Sequence, residues 1–385
     1  MKILHVVPTY VPAWIYGGPI LSIHNLCVEQ IKYGHEVTVY TTNLCGKNYV
    51  EQKNNDQNLK IINGVKVYYF RCNIKKIYFS FPMMNKLNET IKSFDIVHLH
   101  SIFLWPTTYA AILCRKFNVP YILTPRGMLV KNLITKNFLI KNLWILIFEQ
   151  KNLIQASAIQ VSTNYEYKEI RRFNFFFPKI FIIPNGVINP AYFKYPKERK
   201  VLFKKKYKNI LFIGRLNWKK NIDILIKSMV NLEDFFLTII GNDEDNYKNK
   251  LLELTNKLKI KSRVRIISER RGPVKEYLLK KCDLFILPSK SENFGNSVLD
   301  ALKYKKIVAI TKEVGISSLI IKYKCGIIIT PNPTTMPLVL KKYLYDKKKL
   351  KSLRVNSTKL IKENFNWRII IQKTNYMYEY AKAKK

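Results

Sequence analysis

At 385 residues and 48% hydrophobic content, the chain is long enough for two or three domains with real cores, and its composition is not that of a disordered polymer. The formal net charge of +41 directs attention to anionic partners (nucleic acid, an anionic membrane face or a phosphorylated substrate), although a lysine-, isoleucine- and asparagine-rich coding bias also produces it. Six cysteines, Cys27, Cys45, Cys72, Cys114, Cys282 and Cys325, stand singly without C-x-x-C spacing, which argues against a zinc site or a disulfide framework and for a reducing compartment.

The opening MKILHVVPTY is interrupted by His5 and Pro8, lacks a small-residue cleavage site, and reads as a strand, KILHVV (2–7). YGGPILSIHNL follows, with Gly17 and Gly18 opening a helix over about 19–33 that Gly34 stops. Amides at such a helix start can hold an anion, and glycine lets a phosphate or sugar approach closely. The pattern is not G-x-G-x-x-G, so a nicotinamide fold is not indicated, and Gly-Gly-Pro alone is more often just a turn. The next strands are HEVTVYT (35–41) and DIVHLH (95–100), the latter carrying His98 and His100 on one face. A lone histidine is usually a satisfied polar group, and further metal ligands are not evident, but His100 ends the strand where a donor would reach a ligand. A helix near 106–117 and the strand VPYILT (119–124) lead to TPRGM, whose Arg126 and Gly127 lie on the same rim.

A longer helix is expected over 136–154, with LWILIF (143–148) far short of a membrane span. Strands AIQVS (158–162) and KIFIIP (179–184) complete a first alternating αβ segment. Residues 189–208, with Pro190, Pro196 and KERKVLFKKK, read as a linker. The alternation then restarts with NILFIG (209–214), FFLTIIG (235–241), RVRII (263–267), DLFILP (283–288), KIVAIT (306–311) and CGIIIT (325–330). The expected domains are therefore 1–188, a linker over 189–208, a second domain over 209–365, and a helix over 366–385 crossing back to the first. The class is α/β: two Rossmann-like, doubly wound domains facing a central cleft, with ligands at strand carboxyl ends.

Two loops of the second domain carry the densest chemistry. GRLNWKKN delivers Arg215 and Lys220, two cations suited to a diphosphate, against the bland reading of a solvated basic loop. SENFGNSVLD places Glu292 before a turn; the amides of Phe294, Gly295 and Asn296 are expected unpaired at a helix start. Asn296 and Asp300 share a helix face, where a carboxylate can accept hydrogen bonds from a ribose diol. The alternative is that Asp300 merely marks an exposed face. The DED stretch at 243–245 reads as a helix cap rather than a metal site.

In order along the chain, GGP, D-I-V-H-L-H-S with LWP, TPRGM, IPNGV, GRL…K and E-x-F-G-x-x-x-x-D resemble glycosyltransferase family 4, retaining enzymes of the GT-B fold. LWPTTYAA with TPRGMLV is similar to members acting in bacterial surface-polysaccharide assembly. The resemblance implies that Arg215 and Lys220 bind the donor diphosphate, that Glu292 meets the donor sugar and Asp300 the ribose, that His100 lies beside the sugar, and that Gly17 and Gly18 approach the phosphates. Arg126 and Gly127 fall on the acceptor side, in an N-terminal acceptor domain, with the donor in the C-terminal one. Two departures stand out: Asp300 is one methylene shorter than the usual glutamate, and Asn221 replaces the usual glycine after Lys220.

The expectation is a metal-independent hexosyltransferase without a cofactor, moving a sugar from a nucleoside-diphosphate sugar to a hydroxyl of a lipid-linked glycan. A cytoplasmic location is expected, with an anionic inner membrane as a candidate partner: KNFLIKNLWILIFEQK (136–151) and RRFNFFFPK (171–179) mix basic with apolar residues. The rivals are a sugar-nucleotide epimerase on the same fold and a basic, non-catalytic nucleic-acid or membrane binder. No RNP-, KH- or helix-turn-helix-like signature favours nucleic acid.

Overall fold

The computed structural model describes residues 1–46, 48–50, 55–130, 138–187, 189, 203–204 and 206–384. The chain divides into two compact units, Met1–Ile188 with Trp367–Lys385, and Asn189–Asn366. Most of the stretch read as a linker, 190–202 and residue 205, lies outside the described residues.

The first unit is built on strands β1 (Lys2–Val7), β2 (Glu36–Thr42), the short pair β3 (Leu44–Cys45) and β4 (Asn48–Tyr49), β5 (Gln57–Ile62), β6 (Val65–Phe70), β7 (Ile96–His100), β8 (Tyr121–Thr124), β9 (Ala158–Val161) and β10 (Ile180–Ile182). Eight of them form one sheet in the order β10-β9-β8-β7-β1-β2-β6-β5. All neighbours are parallel except β5 with β6. Winding runs outward from β1 through β2, then returns to place β7 on the other side of β1. The carboxyl ends of β1 and β7 are thus the switch point, where an open αβ sheet leaves a crevice for ligand.

The second unit repeats this logic. Its strands β11 (Lys208–Ile213), β12 (Phe235–Ile240), β13 (Val264–Ile267), β14 (Leu284–Leu287), β15 (Ile307–Ile310) and β16 (Ile327–Ile328) form a parallel sheet in the order β13-β12-β11-β14-β15-β16. Here the switch point falls between β11 and β14, whose following loops hold Arg215 with Lys220 and Glu292 with Gly295.

Both faces of the first sheet are covered. On one side a core of Leu4, Val6, Val97, Leu99, Leu123 and Ile159 packs with helix Trp105–Lys116 and the residues around it. On the other, Ile3, Ile96, Ile122 and Ala158 meet Ile370, Met377, Tyr378 and Ala381 of the last helix, Trp367–Ala383. That helix is anchored where the Trp367 indole donates to Val187 O at 2.9 Å, over Gly186, which has no room for a Cβ.

Several segments differ from the sequence reading, among them helices Asn164–Ile170, Thr335–Leu344 and Lys347–Asn364, where no element was read. Of the helix expected over 136–154, residues 136–137 lie outside the described residues, and the rest is Phe138–Trp144, a π-helical turn Ile145–Glu149, and Gln150–Ile154. Glu149 is the cause: its buried carboxylate accepts from Phe103 N, Thr108 Oγ1, Trp144 Nε1 and Asn152 Nδ2, drawing the helix out of register. Residues 57–70 form a hairpin and Phe81–Thr90 a helix in a stretch for which no element was read. CGIIIT holds only the two-residue strand β16.

Candidate functional site

In the second unit, Gly214 follows β11, and Arg215 begins a loop that ends in a short 3-10 turn, Trp218–Lys220. Gly241 must be glycine there, since a Cβ would sit 1.8 Å from Gly214 O. Asn221 adopts φ +50°, the left-handed conformation in which asparagine is the best substitute for glycine, and its side chain donates to Pro288 O at 2.8 Å. The departure from glycine therefore keeps the backbone and adds a tie between the two switch-point loops. A second tie is Lys290 N to Lys219 O at 2.7 Å.

These ties bring Lys220 against Glu292. The Lys220 ammonium is nearly buried, 9% of the residue being exposed, and donates to Glu292 Oε2. Glu292 is held by its backbone, which accepts from Gly315 N at 2.7 Å and donates to Glu313 O at 3.1 Å. Arg215 is more exposed and pairs with Glu244 at 3.2 Å, a carboxylate that also accepts from Asn217 Nδ2 at 2.6 Å. Of the DED stretch, Asp243 accepts Lys248 N at the start of helix Tyr247–Lys257, as a cap does, while Glu244 serves Arg215.

Helix Asn296–Lys303 is preceded by Gly295, whose φ of +102° disfavours a side chain and where a Cβ would sit 2.9 Å from Val314 Cγ1. As the N-cap residue, Gly295 has no side chain to cap the first turn, where backbone N–H groups and the positive end of the helix dipole gather. Phe294 offers backbone alone, because its ring is buried edge-on to Phe365. Asp300 is not an exposed face residue: it is 7% exposed, and Oδ2 accepts from Lys275 Nζ at 2.6 Å. The shortened acid is therefore one half of an ion pair. Lys275, on helix Gly272–Lys281, is a residue that sequence reasoning missed, and no local spacing signals it.

In the first unit, Gly17 caps helix Gly18–Lys32 at φ +75°, with open space around its Cα and no side-chain cap. His100 departs from expectation. It is 0% exposed, and both ring nitrogens are engaged, Nε2 with His5 Nδ1 at 2.8 Å and Nδ1 with Arg126 Nη2 at 3.1 Å. The Gly127 amide, expected on the acceptor side, is likewise engaged, donating to Glu166 Oε1. Arg126 adds a bond to Asn185 Oδ1 at 3.0 Å, while its Nε is buried without a partner among the described residues. Ser101, Phe103 and Arg126 all carry positive φ (79°, 60° and 57°), a clustering of strained backbone just beyond β7 and β8.

His5, His98 and His100 gather with ligand atoms within 4.8 Å of one another, the grouping of possible metal ligands found among the described residues. Every one of their ring nitrogens is already hydrogen-bonded, however, and Arg126 adds a cation beside them. Burial lowers all three pKa values, that of His5 to about 4, so the rings are neutral at physiological pH. His5 was missed as a partner because it lies on another strand. Burial also lowers Arg126, to about 10, which leaves it charged.

Residues 194–360 match the family model for glycosyl transferases group 1, and residues 16–188 that for glycosyltransferase family 4. An uncharacterized glycosyltransferase of Methanocaldococcus jannaschii is 26% identical over 99% of this chain and 98% of its own. The O-antigen biosynthesis glycosyltransferase WclY of Escherichia coli is 24% identical over 87% of each chain. Among solved structures, Anabaena HepE in complex with UDP and glucose superposes with a TM-score of 0.73 at 16% identity, covering 98% of this chain and 99% of that one. The fold is GT-B.

Proposed function

This chain belongs to the glycosyltransferases of family 4, its two halves matching that family and group 1, and from that premise we propose that it moves a sugar, with retention, from a nucleoside-diphosphate sugar to a hydroxyl of a lipid-linked surface glycan. The observation that carries the donor half is the Lys220–Glu292 pair beside the uncapped helix start at Gly295. Without donor, each charge neutralises the other. An arriving diphosphate takes over Lys220, and Glu292 is released to accept hydrogen bonds from sugar hydroxyls. As the sugar–phosphate bond breaks, negative charge grows on the departing diphosphate, and Lys220 with the first-turn amides offsets it. Arg215 is assigned a second, outer contact to the diphosphate, and Asp300, steadied by Lys275, keeps one carboxylate oxygen for the ribose. Arg126 is assigned to the acceptor side through its unpartnered Nε. HepE holds UDP and glucose, which supports a nucleotide-sugar donor here.

The acceptor half rests on a surface. Leu139 (81% exposed), Ile140, Leu143, Leu146 and Ile147 stand out of the helix 138–149 region at helical spacing, with Lys141 and Lys151 beside them in sequence. Phe176, 94% exposed, follows Arg171 and Arg172. No helix among the described residues is long and apolar enough to cross a membrane. Apolar side chains flanked by cations suit shallow seating on anionic lipid, where a lipid-linked acceptor would lie, and WclY, a relative, is an O-antigen enzyme. The donor is tested by a thermal-shift screen with uridine and guanosine diphosphate-sugars; no stabilisation by any of them removes the proposal. Salt-sensitive flotation with anionic liposomes, lost in Leu139→Asp/Leu146→Asp, tests the surface.

A further inference from the structure

Arg126 is a cation without a counter-charge. A guanidinium has only donors, one N–H on Nε and two on each terminal nitrogen. Asn185 Oδ1 takes one from Nη1 at 3.0 Å, and His100 Nδ1 takes one from Nη2 at 3.1 Å. His100 must accept there, which leaves the proton of its neutral ring on Nε2, donating to His5 Nδ1. Both acceptors of Arg126 are therefore uncharged, and its Nε is buried with no acceptor among the described residues. The acid whose field reaches Arg126 is Glu166. Its oxygens are turned elsewhere: Oε1 accepts the Gly127 amide, and Oε2 the Ser162 amide and hydroxyl, each at 2.8 Å. No carboxylate among the described residues pairs with Arg126. Yet the side chain stays charged, and the residue is only half-buried, so one N–H on each terminal nitrogen is left for a ligand.

A charge drawn partly out of water without an opposite partner costs stability. The backbone adds a second cost at the same residue, since Arg126 holds φ +57°, a conformation that glycine adopts without strain. Both costs fit a cation held ready for a charge that arrives with a ligand. We propose that Arg126 is an oxyanion site, and that the acceptor carries a carboxylate or phosphoryl group close to the hydroxyl that receives the sugar. The inference rests on the assignment of Arg126 to the acceptor side made above. His100 and Asn185 act as struts: they fix the guanidinium without neutralising it, so its charge and its remaining terminal N–H groups go to the ligand's oxygens. A lipid-linked glycan offers such oxygens in two places, the carboxylate of an acidic sugar or a phosphoryl group of the linkage to lipid.

Thermal-shift titrations of the full chain with methyl glucuronide and with geranyl diphosphate test this and distinguish the two sources. Both are run in Lys220→Ala, so that the donor diphosphate site does not answer. At least one probe should stabilise that protein saturably, the glucuronide if the oxyanion belongs to a sugar and the diphosphate if it belongs to the lipid linkage. Adding Arg126→Gln, which removes the charge and keeps an N–H donor, should weaken the apparent Kd by about tenfold or more. Arg126→Lys, which keeps the charge and loses the planar donor set, should weaken it by about threefold to tenfold, and carries the test if Arg126→Gln does not fold. Stabilisation by neither probe, or a Kd unchanged in the folded Arg126 variant, overturns the inference. Sugar transfer to a lipid extract of the parent cells, with Lys220 intact, separates this from the reading beneath it. Unimpaired transfer by Arg126→Gln removes Arg126 from the acceptor side, whatever the titrations show.

Discussion

The two switch points solve the same problem, polar groups at the end of a buried sheet, in opposite ways. The first unit gathers neutral rings, an amide and a phenol into a closed hydrogen-bonded series with almost no exposure. The second leaves pairs of full charges at the margin of solvent, Lys220 with Glu292, Lys275 with Asp300, and Arg215 with Glu244. A closed neutral series is rigid, since breaking any link strands a buried donor or acceptor. An ion pair at partial exposure contributes little to stability and can change partners cheaply. One arrangement suits holding a geometry; the other suits receiving a charged ligand.

The contrast can be broken most sharply at Lys220. Lys220→Ala should lower sugar transfer by about 10²- to 10³-fold while moving the melting temperature little; turnover near that of the wild type sinks the donor assignment. The opposite signature is expected of His5→Leu, which strands Gln30 Oε1 and His100 Nε2–H in the interior and should cost about 2–4 kcal/mol of stability by denaturant titration. A loss under about 0.5 kcal/mol would mean that the series is not closed.

Acid offers a gentler separation. All five histidines, His5, His24, His35, His98 and His100, belong to the first unit. Burial holds His5 and His24 at about 4 and His98 and His100 well below the usual value of 6.5. Between pH 6.5 and 4 the unfolded chain thus binds protons that the native one refuses, so stability falls as pH falls through that window. The slope is about 1.4 kcal/mol per pH unit for each such ring. Amide exchange should show the first unit losing protection before the second between pH 6.5 and 5; simultaneous loss would refute the contrast. The smallest effect is expected for Asn221→Gly, which keeps the left-handed turn and forfeits only the bond to Pro288, about 1 kcal/mol, with transfer changed less than about threefold.

Alternation of β-branched runs with helical patterns made nearly every parallel strand readable, and with them the switch-point loops where Arg215, Lys220, Glu292 and Gly295 stand. The hairpin at 57–70 was readable too: Asn63-Gly64 is the dipeptide for a turn with two positive φ angles, and both are positive here (51° and 84°). Other features were not local. His5, Lys275 and Phe103, which bond His100, Asp300 and Glu149, lie 95, 25 and 46 residues away from them, and no period or spacing reveals which distant group completes a buried polar side chain. Their partners decide availability: the His100 ring nitrogens and the Gly127 amide, read as open to a ligand, are already hydrogen-bonded within the chain.

Tyr378 comes from a helix translated only after the whole second unit, yet Gln30, His98 and the apolar surface of β1, β7 and β8 await it. A nascent chain halted on the ribosome after Asn366 would hold most of its first unit with one wall open. Such a chain should be cut readily by protease within residues 1–188, and become resistant only when helix Trp367–Ala383 clears the exit tunnel. Completion of the first unit is thereby timed by synthesis of the second.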